Sequence, residues 1–268
     1  MAIPKLLSIA GSDPSGGAGV QADLKTFSAL GCYGMAVVTA LTAQNTTGVT
    51  RVFPIPPDMV AAQIDAIFSD IAVNAVKIGM LAEPAIAEAV AESLRRAGAK
   101  NIVLDPVMAA TRGAALSEGD LPRAIIKRLL PLVDLITPNL AEAAILTGTS
   151  LARDADEMAA QARALVERGA RAALVKGGHL DGEPTDALFA NGALTLFSGR
   201  RVDTRHAHGT GCALASAIAA NLAKGSALGE AIAGAKTWLE QALAAGEALQ
   251  VGAGAGPPNH FWELWGKP

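Results

Sequence analysis

What most restricts the fold of this chain is the alternation of short, almost wholly apolar runs with longer stretches of helical spacing. Lys5–Ala10, Met35–Leu41, Ala75–Ile78, Asn101–Leu104, Asp134–Ile136 and Ala172–Val175 are too short for helices and too uniformly apolar for strands with one wet face. Strands of that kind are covered on both faces, which is the situation in a mostly parallel sheet between two helical layers. Val20–Leu30, Pro57–Asp70, Pro84–Ala97 and Ala155–Arg168 read as the intervening helices. Met59, Ile64, Ile67 and Phe68 share one side of the second, and Pro84 opens the third where its missing N–H costs least. Cys212–Ala223 and Ala227–Ala244 are Ala-rich closing helices. Thr185–Phe189 and Ala193–Phe197 flank Asn191-Gly192, an antiparallel hairpin signal. The expectation is one α/β domain over residues 1–268, since no Ser/Pro-rich linker or composition shift divides the chain.

Composition narrows the function. Hydrophobic residues are 51% and charged residues 18%, which excludes wholesale disorder. Lys+Arg number 22 against 25 Asp+Glu, so no basic surplus exists to hold a phosphate backbone and nucleic acid is not an expected partner. Two cysteines cannot make a disulfide framework. The start MAIPKLLSIAGSD lacks a signal-peptide apolar core, and no apolar run reaches membrane-spanning length. A cytoplasmic protein without a membrane partner is expected. There is no GxxxxGK[ST] loop, no GxGxxG between strand and helix, no HExxH and no GxSxG. Classical dehydrogenase, zinc hydrolase and esterase chemistries lose ground accordingly.

Four segments remain, all at the carboxyl ends of strands, where open α/β sheets bind ligands. The first is the Gly-rich loop Gly11–Gly19, with Asp23 one turn into the next helix; it lets backbone approach a ligand, or is only a tight turn. The second is His208-Gly209-Thr210-Gly211-Cys212, whose successive N–H groups at a helix start suit an anion. Cys212 would there have its thiol pKa drawn below about 8.5; alternatively it is a small buried apolar residue. The third pairs Asp105 with Asn139 and Glu142, oxygen donors suited to Mg²⁺, or, for the latter two, a helix cap. The fourth is Lys176-Gly177-Gly178-His179, where a point charge could meet a phosphate or simply be solvated. Glycine loops, an anion cradle, a lysine and paired acids together point to phosphoryl transfer, a chemistry of positioning and charge neutralisation.

Assembled, these residues resemble the ribokinase-like superfamily, and within it the bacterial hydroxymethylpyrimidine/phosphomethylpyrimidine kinases of thiamine biosynthesis. The resemblance runs nearly end to end, through Ala10–Thr26, Val38–Asn45, Val76–Met80, Asp105–Met108, Thr137–Ala143, Leu174–His179 and Gly209–Cys212. It implies a three-layer sandwich, usually dimeric, that phosphorylates a hydroxymethylpyrimidine and then its monophosphate. It also implies a pyrimidine site near Gly11, Asp23, Gln44, Met80 and Val107. ATP and Mg²⁺ would lie over Asp105, Asn139, Glu142, Lys176 and Thr210, with Asp105 and Glu142 as metal ligands. Cys212 would be the base, assisted by Lys176, Gly209 and Gly211. A Cys-type pyridoxal kinase is the alternative enzyme, and a non-catalytic vitamer or nucleotide sensor the alternative from another class. His206-Ala207 and the tail Gly254-Ala255-Gly256-Pro257-Pro258-Asn259 depart from the family's pattern.

Overall fold

Residues 2–108, 120–178 and 182–265 are described by the computed structural model; His179 and the Gly266-Lys267 pair lie outside them. The first half runs β1 (Lys5–Ala10), α1 (Gly19–Ala29), β2 (Tyr33–Val38), β3 (Ala40–Asn45), β4 (Gly48–Pro54), α2 (Pro57–Phe68), β5 (Ala75–Ile78) and α3 (Pro84–Ala97). Then come β6 (Ile102–Leu104), α4 (Leu121–Ala124), β7 (Leu135–Ile136), α5 (Leu140–Thr147), α6 (Ala155–Glu167), β8 (Ala172–Val175), β9 (Thr185–Ala190) and β10 (Ala193–Ser198). α7 (Thr210–Ala223) and α8 (Leu228–Ala244) follow.

Among the described residues eight strands make one sheet, in the order β10-β9-β8-β7-β6-β5-β1-β2. It is parallel from β2 to β8, and the β9–β10 hairpin adds two antiparallel strands. Side chains alternate between two cores, as the period of two requires. Leu7, Ile9, Val76, Ile78 and Leu104 pack with α2, α3 and α6 on one face. Leu6, Ala75, Val103 and Leu135 pack with α1, α7 and α8 on the other. α3 shows how the sequence specifies a helix: Pro84 starts it, Ile86, Val90 and Leu94 bury one stripe, and Gly98 ends it left-handed at φ 61°. α7 is buried along most of its length by Ala213, Ala215, Ala217, Ala219 and Ala220, so only small side chains let it approach the sheet. No helix among the described residues is long and apolar enough to cross a membrane.

One expectation is corrected. The apolar run Met35–Leu41 is not one strand: β2 ends at Val38, and among the described residues β3 pairs with β4 alone, in a separate two-stranded hairpin. Thr39 makes the break. Its N–H donates to Ala10 O at 3.0 Å and its Oγ1 to Met80 O at 2.6 Å, which turns the chain off the sheet edge. The hairpin carries Gln44 out over the carboxyl ends of the strands. The segment 121–132, for which the sequence shows no clear period, is α4 followed by a π-turn at Ile125–Leu129 and a 3₁₀ turn at Leu130–Leu132.

Candidate active site

The loop after β1 is organised by Asp13. Its carboxylate accepts from Ser15 N–H (2.9 Å), Ser15 Oγ (2.7 Å), Gly17 N–H (3.1 Å) and Ala18 N–H (2.8 Å), and pairs with His208 Nε2 at 2.8 Å. Burial alone would raise this carboxyl, but the hydrogen bonds from His208 and Ser15 hold it below its ordinary value. His208 Nε2 also lies 3.2 Å from Gln44 Nε2, so the hairpin and the β1 loop meet at one imidazole. Gly209 caps α7 at φ 78°, and a Cβ there would sit 1.9 Å from Gly17 O. Only glycine allows the two loops to lie backbone against backbone.

Gly211 and Cys212 form the first turn of α7, where backbone N–H groups have no partner inside the helix. A Cβ on Gly211 would be 3.3 Å from both Asp105 Oδ2 and Lys176 Nζ, so the helix start faces that pair directly. Lys176 Nζ donates to Asp105 Oδ1 at 2.7 Å. Opposite, Asn139 and Glu142 close a capping box: Asn139 Oδ1 accepts from Glu142 N–H, and Glu142 Oε2 from Asn139 N–H, both at 2.9 Å. Burial, resisted by Lys176 and reinforced by the charge of Asp105, pushes the Glu142 carboxyl up to about 7. One cavity of about 810 Å³ joins all these groups; Gly11, Gln44, Met80 and Val107 line one part and Lys176, Thr210 and Cys212 another.

Two expectations for this site fail. Asp23 does not line the cavity. It is fully buried and bound by Lys77 Nζ through both oxygens at 2.9 Å, by Ser8 Oγ at 2.5 Å and by Ser216 Oγ at 2.7 Å. No lone pair of it is left for a ligand to use. The thiol of Cys212, expected below its ordinary range, is pushed up to about 11. Burial is the chief cause; the ammonium of Lys77 and the N–H of Gly19 oppose it, while Asp23 and Asp105 add to it. Desolvation in the small-residue packing of α7 outweighs the helix N-terminus. Asn139 is, as its spacing also allowed, a helix cap, although it lines the cavity as well.

Sequence reasoning passed over Asp13, Lys77 and the Asp186–Lys236 pair. Asp186 Oδ1 accepts from Gly177 N–H at 3.0 Å and its Oδ2 meets Lys236 Nζ at 2.5 Å, at the cavity wall beyond Lys176. The available signal for Asp186 was its place inside an otherwise apolar strand, Thr185–Ala190. Lys77 offered the same signal inside Ala75–Ile78.

Known proteins place this geometry in a family. The family model described as phosphomethylpyrimidine kinase matches residues 13–259. A hydroxymethylpyrimidine/phosphomethylpyrimidine kinase of Rhizobium meliloti is 55% identical over 260 residues, 97% of each chain. The crystal structure of phosphomethylpyrimidine kinase from Clostridium difficile is 40% identical, with a TM-score of 0.79 over 93% of this chain and 100% of that one. Pyridoxal kinase from Staphylococcus aureus, in complex with AMP-PCP and pyridoxal, is 33% identical with a TM-score of 0.89, covering 98% and 96% of the two chains. A match of this extent, carried by a chain that brings the Gly11 loop, Lys176 and the helix start at Cys212 to one cavity, has one meaning: the chain belongs to the phosphomethylpyrimidine kinase family.

Proposed function

We propose that this chain transfers the γ-phosphoryl group of ATP to 4-amino-5-hydroxymethyl-2-methylpyrimidine and then to the resulting monophosphate, a reaction pair of thiamine biosynthesis. The observation that carries the reading is the opening of Cys212, at the start of α7, into the same cavity as the Lys176–Asp105 pair and Gln44. The solved pyridoxal kinase holding AMP-PCP supports ATP as the donor. In this reading Gly11, Gln44, Met80 and Val107 hold the pyrimidine. The Gln44 amide both donates and accepts, which matches an aminopyrimidine edge. Lys176, Asn139 and Thr210 face the donor.

In the first transfer the hydroxymethyl oxygen forms a bond to the γ-phosphorus, the β–γ bridging bond breaks and ADP leaves. Cys212 in its thiolate form takes the alcohol's proton and becomes the thiol, while the N–H groups of Gly209 and Gly211 and the ammonium of Lys176 face the oxygens of the moving group. In the second transfer the nucleophile is a phosphate already largely anionic near neutrality, so no base is needed. Mg²⁺ fits the donor set: Asp105 and Glu142 are hard oxygen ligands close enough for the charge of one to raise the other. They would hold it, and it would neutralise the donor's phosphates.

Cys212→Ala therefore lowers the first transfer by about 10²–10⁴-fold and leaves the second within about tenfold. Measurement of ADP release with each pyrimidine substrate checks this, and equal losses in both steps overturn the role of Cys212. With its thiol pushed up to about 11, the first transfer in the intact enzyme also gains rate as pH rises above neutrality, and the second does not. Identity of 55% and 40% to pyrimidine kinases, against 33% to the pyridoxal kinase, favours the pyrimidine ring; kcat/KM for the two rings in one assay compares them. A homodimer is part of the same reading. Leu41 and Phe53 face each other across the β3–β4 hairpin and are 50% and 55% exposed, an apolar pair open to a second copy. Light scattering of the purified chain tests that.

A further inference from the structure

The stretch from Gly252 to Pro258 has no part in the transfer derived above, and its Gly-rich composition suits a loose tail. It is instead pinned. Gly254 N–H donates to Thr46 Oγ1 at 3.2 Å, Ala255 N–H to Thr46 O at 3.1 Å, and Gly256 O accepts from His208 N–H at 3.0 Å. Beyond it, Asn259 N–H reaches Ala242 O at 2.8 Å, and residues 256–260 are buried. Each glycine stands where no side chain fits. A Cβ on Gly252 would lie 2.2 Å from Thr46 Oγ1, on Gly254 1.9 Å from Thr46 O, and on Gly256 2.3 Å from His206 Nδ1.

The two anchor points are the informative part. Thr46 lies in the turn of the β3–β4 hairpin, two residues after Gln44. His208 precedes the cap of α7 and meets both Asp13 and Gln44. The tail also backs the Gly-rich loop, since a Cβ on Gly17 would be 3.3 Å from Pro257 Cβ. The hairpin belongs to its own small sheet; the middle of β3 is held to the β1 loop through Thr42, whose N–H and Oγ1 bond Ser12 Oγ (3.3 Å) and Ser12 O (2.9 Å), while its turn, beyond Gln44, is held by the tail. A peptide bonded at once to the hairpin turn and to His208 therefore fixes the distance across that end of the cavity.

We propose that residues 252–258 form a positioning strap for the acceptor end of the active site, holding Gln44 against His208 so that the pocket has the width of the pyrimidine ring. The strap acts through Gln44, and the proposal rests on the reading above that Gln44 meets the acceptor. Gly254→Ala drives a methyl into the Thr46 carbonyl and lifts the strap from the hairpin. KM for hydroxymethylpyrimidine is expected to rise about tenfold or more, with KM for ATP and saturated kcat each within about threefold. Thr46→Ala removes the acceptor of the Gly254 N–H without adding an atom, and gives the same pattern at about threefold. In Gly252→Ala the three atoms nearest the new methyl are all of the Thr46 side chain, so the double variant with Thr46→Gly recovers the part of the loss due to that collision but not the part due to the left-handed φ of 66°. A tail that merely stabilises the fold would lower the unfolding temperature and move both KM values alike. That result, or an unchanged pyrimidine KM in Gly254→Ala and Thr46→Ala, overturns the proposal. Gln44→Ala is the parallel arm: an unchanged pyrimidine KM there, with a raised one in Gly254→Ala, would sink the assignment of Gln44 while leaving the strap as a determinant of the pocket.

Discussion

Lys77–Asp23 and Lys176–Asp105 are the same two side chains at nearly the same separation, 2.9 and 2.7 Å, both at strands of one sheet. Their surroundings differ. Lys77 stands on β5 beside Ser8 of β1, its register partner, and both turn toward α1 and α7. There Asp23 takes bonds from Ser8, Lys77 and Ser216, and the pair is 0% exposed. Burial works against the Lys77 ammonium, yet the charge of Asp23 prevails and holds it charged, above its ordinary pKa. Among the described residues the Asp105 carboxylate has Lys176 and one long contact from Thr137 Oγ1 at 3.4 Å, and Lys176 keeps 15% of its side chain open toward the cavity. A pair satisfied from four elements can only hold those elements and act through its field. A pair satisfied on one side keeps donors for a ligand. Opening to the cavity, rather than the ion pair itself, separates the structural lysine from the one proposed to be catalytic.

Lys77→Met tests the closed pair most severely. It leaves Asp23 charged and buried, and is expected to cost about 3–5 kcal/mol of stability by urea unfolding. Adding Asp23→Leu, which removes the unpaired charge, should restore part of that, the rest being held back by Ser8 and Ser216, whose buried hydroxyls then lose their acceptor. Lys176→Met tests the open pair and should do the reverse: turnover falls by about 10²–10³-fold in both transfers while stability falls by less than in Lys77→Met. Should Lys176→Met unfold as deeply as Lys77→Met and keep its turnover, the contrast is void.

The contrast also marks what the sequence could reveal. Ala75–Ile78, Pro84–Ala97 and Ala172–Val175 were legible to the residue because apolar runs and an initial proline are local signals. The Asn191-Gly192 hairpin was legible too, although its strands run one residue further than expected, to Ala190 and Ser198. The break at Thr39 was not, because it depends on hydrogen bonds to Ala10 and Met80, distant in the chain. Lys176, Asp105 and the glycines before Cys212, singled out by their place at strand and helix ends, do line one cavity. Asp23 was placed at the pyrimidine site by the family resemblance; that α7 would cover it is a fact of packing. The acidity of Cys212 was misjudged for the same reason, since the helix-terminus rule is local and desolvation by the α7 packing is not.

Glu142 sharpens the comparison through pH. It shares the open site with Asp105 and Lys176, and burial, only partly offset by Lys176, raises its carboxyl from 4.5 to about 7. Between those values the folded chain keeps a proton that the unfolded chain has released. Its contribution to stability is therefore fully present below about 4.5 and lost as pH rises through about 7. In the chain without ligands this amounts to about 3 kcal/mol across the window. Glu142→Gln should flatten that slope in unfolding experiments run from pH 4.5 to 8. An unchanged slope would mean that Asp105 and Lys176 already neutralise the site between them.

Asn139 gives the smallest effect and the finest distinction, because the open site uses it twice. As the cap of α5 it accepts from Glu142 N–H at 2.9 Å, and it also lines the cavity. Asn139→Ala removes both roles and should cost about 1 kcal/mol of stability. Asn139→Asp keeps the cap, since Asp and Asn serve nearly equally there, but turns an amide into a third carboxylate beside Asp105 and Glu142. Its unfolding midpoint should stay close to that of the parent, while the dissociation constant for ATP, read by calorimetry, rises several-fold. If Asn139→Asp binds ATP as well as the parent does, Asn139 is a cap alone, and the donor end of the cavity is defined by Lys176, Thr210 and the start of α7 without it.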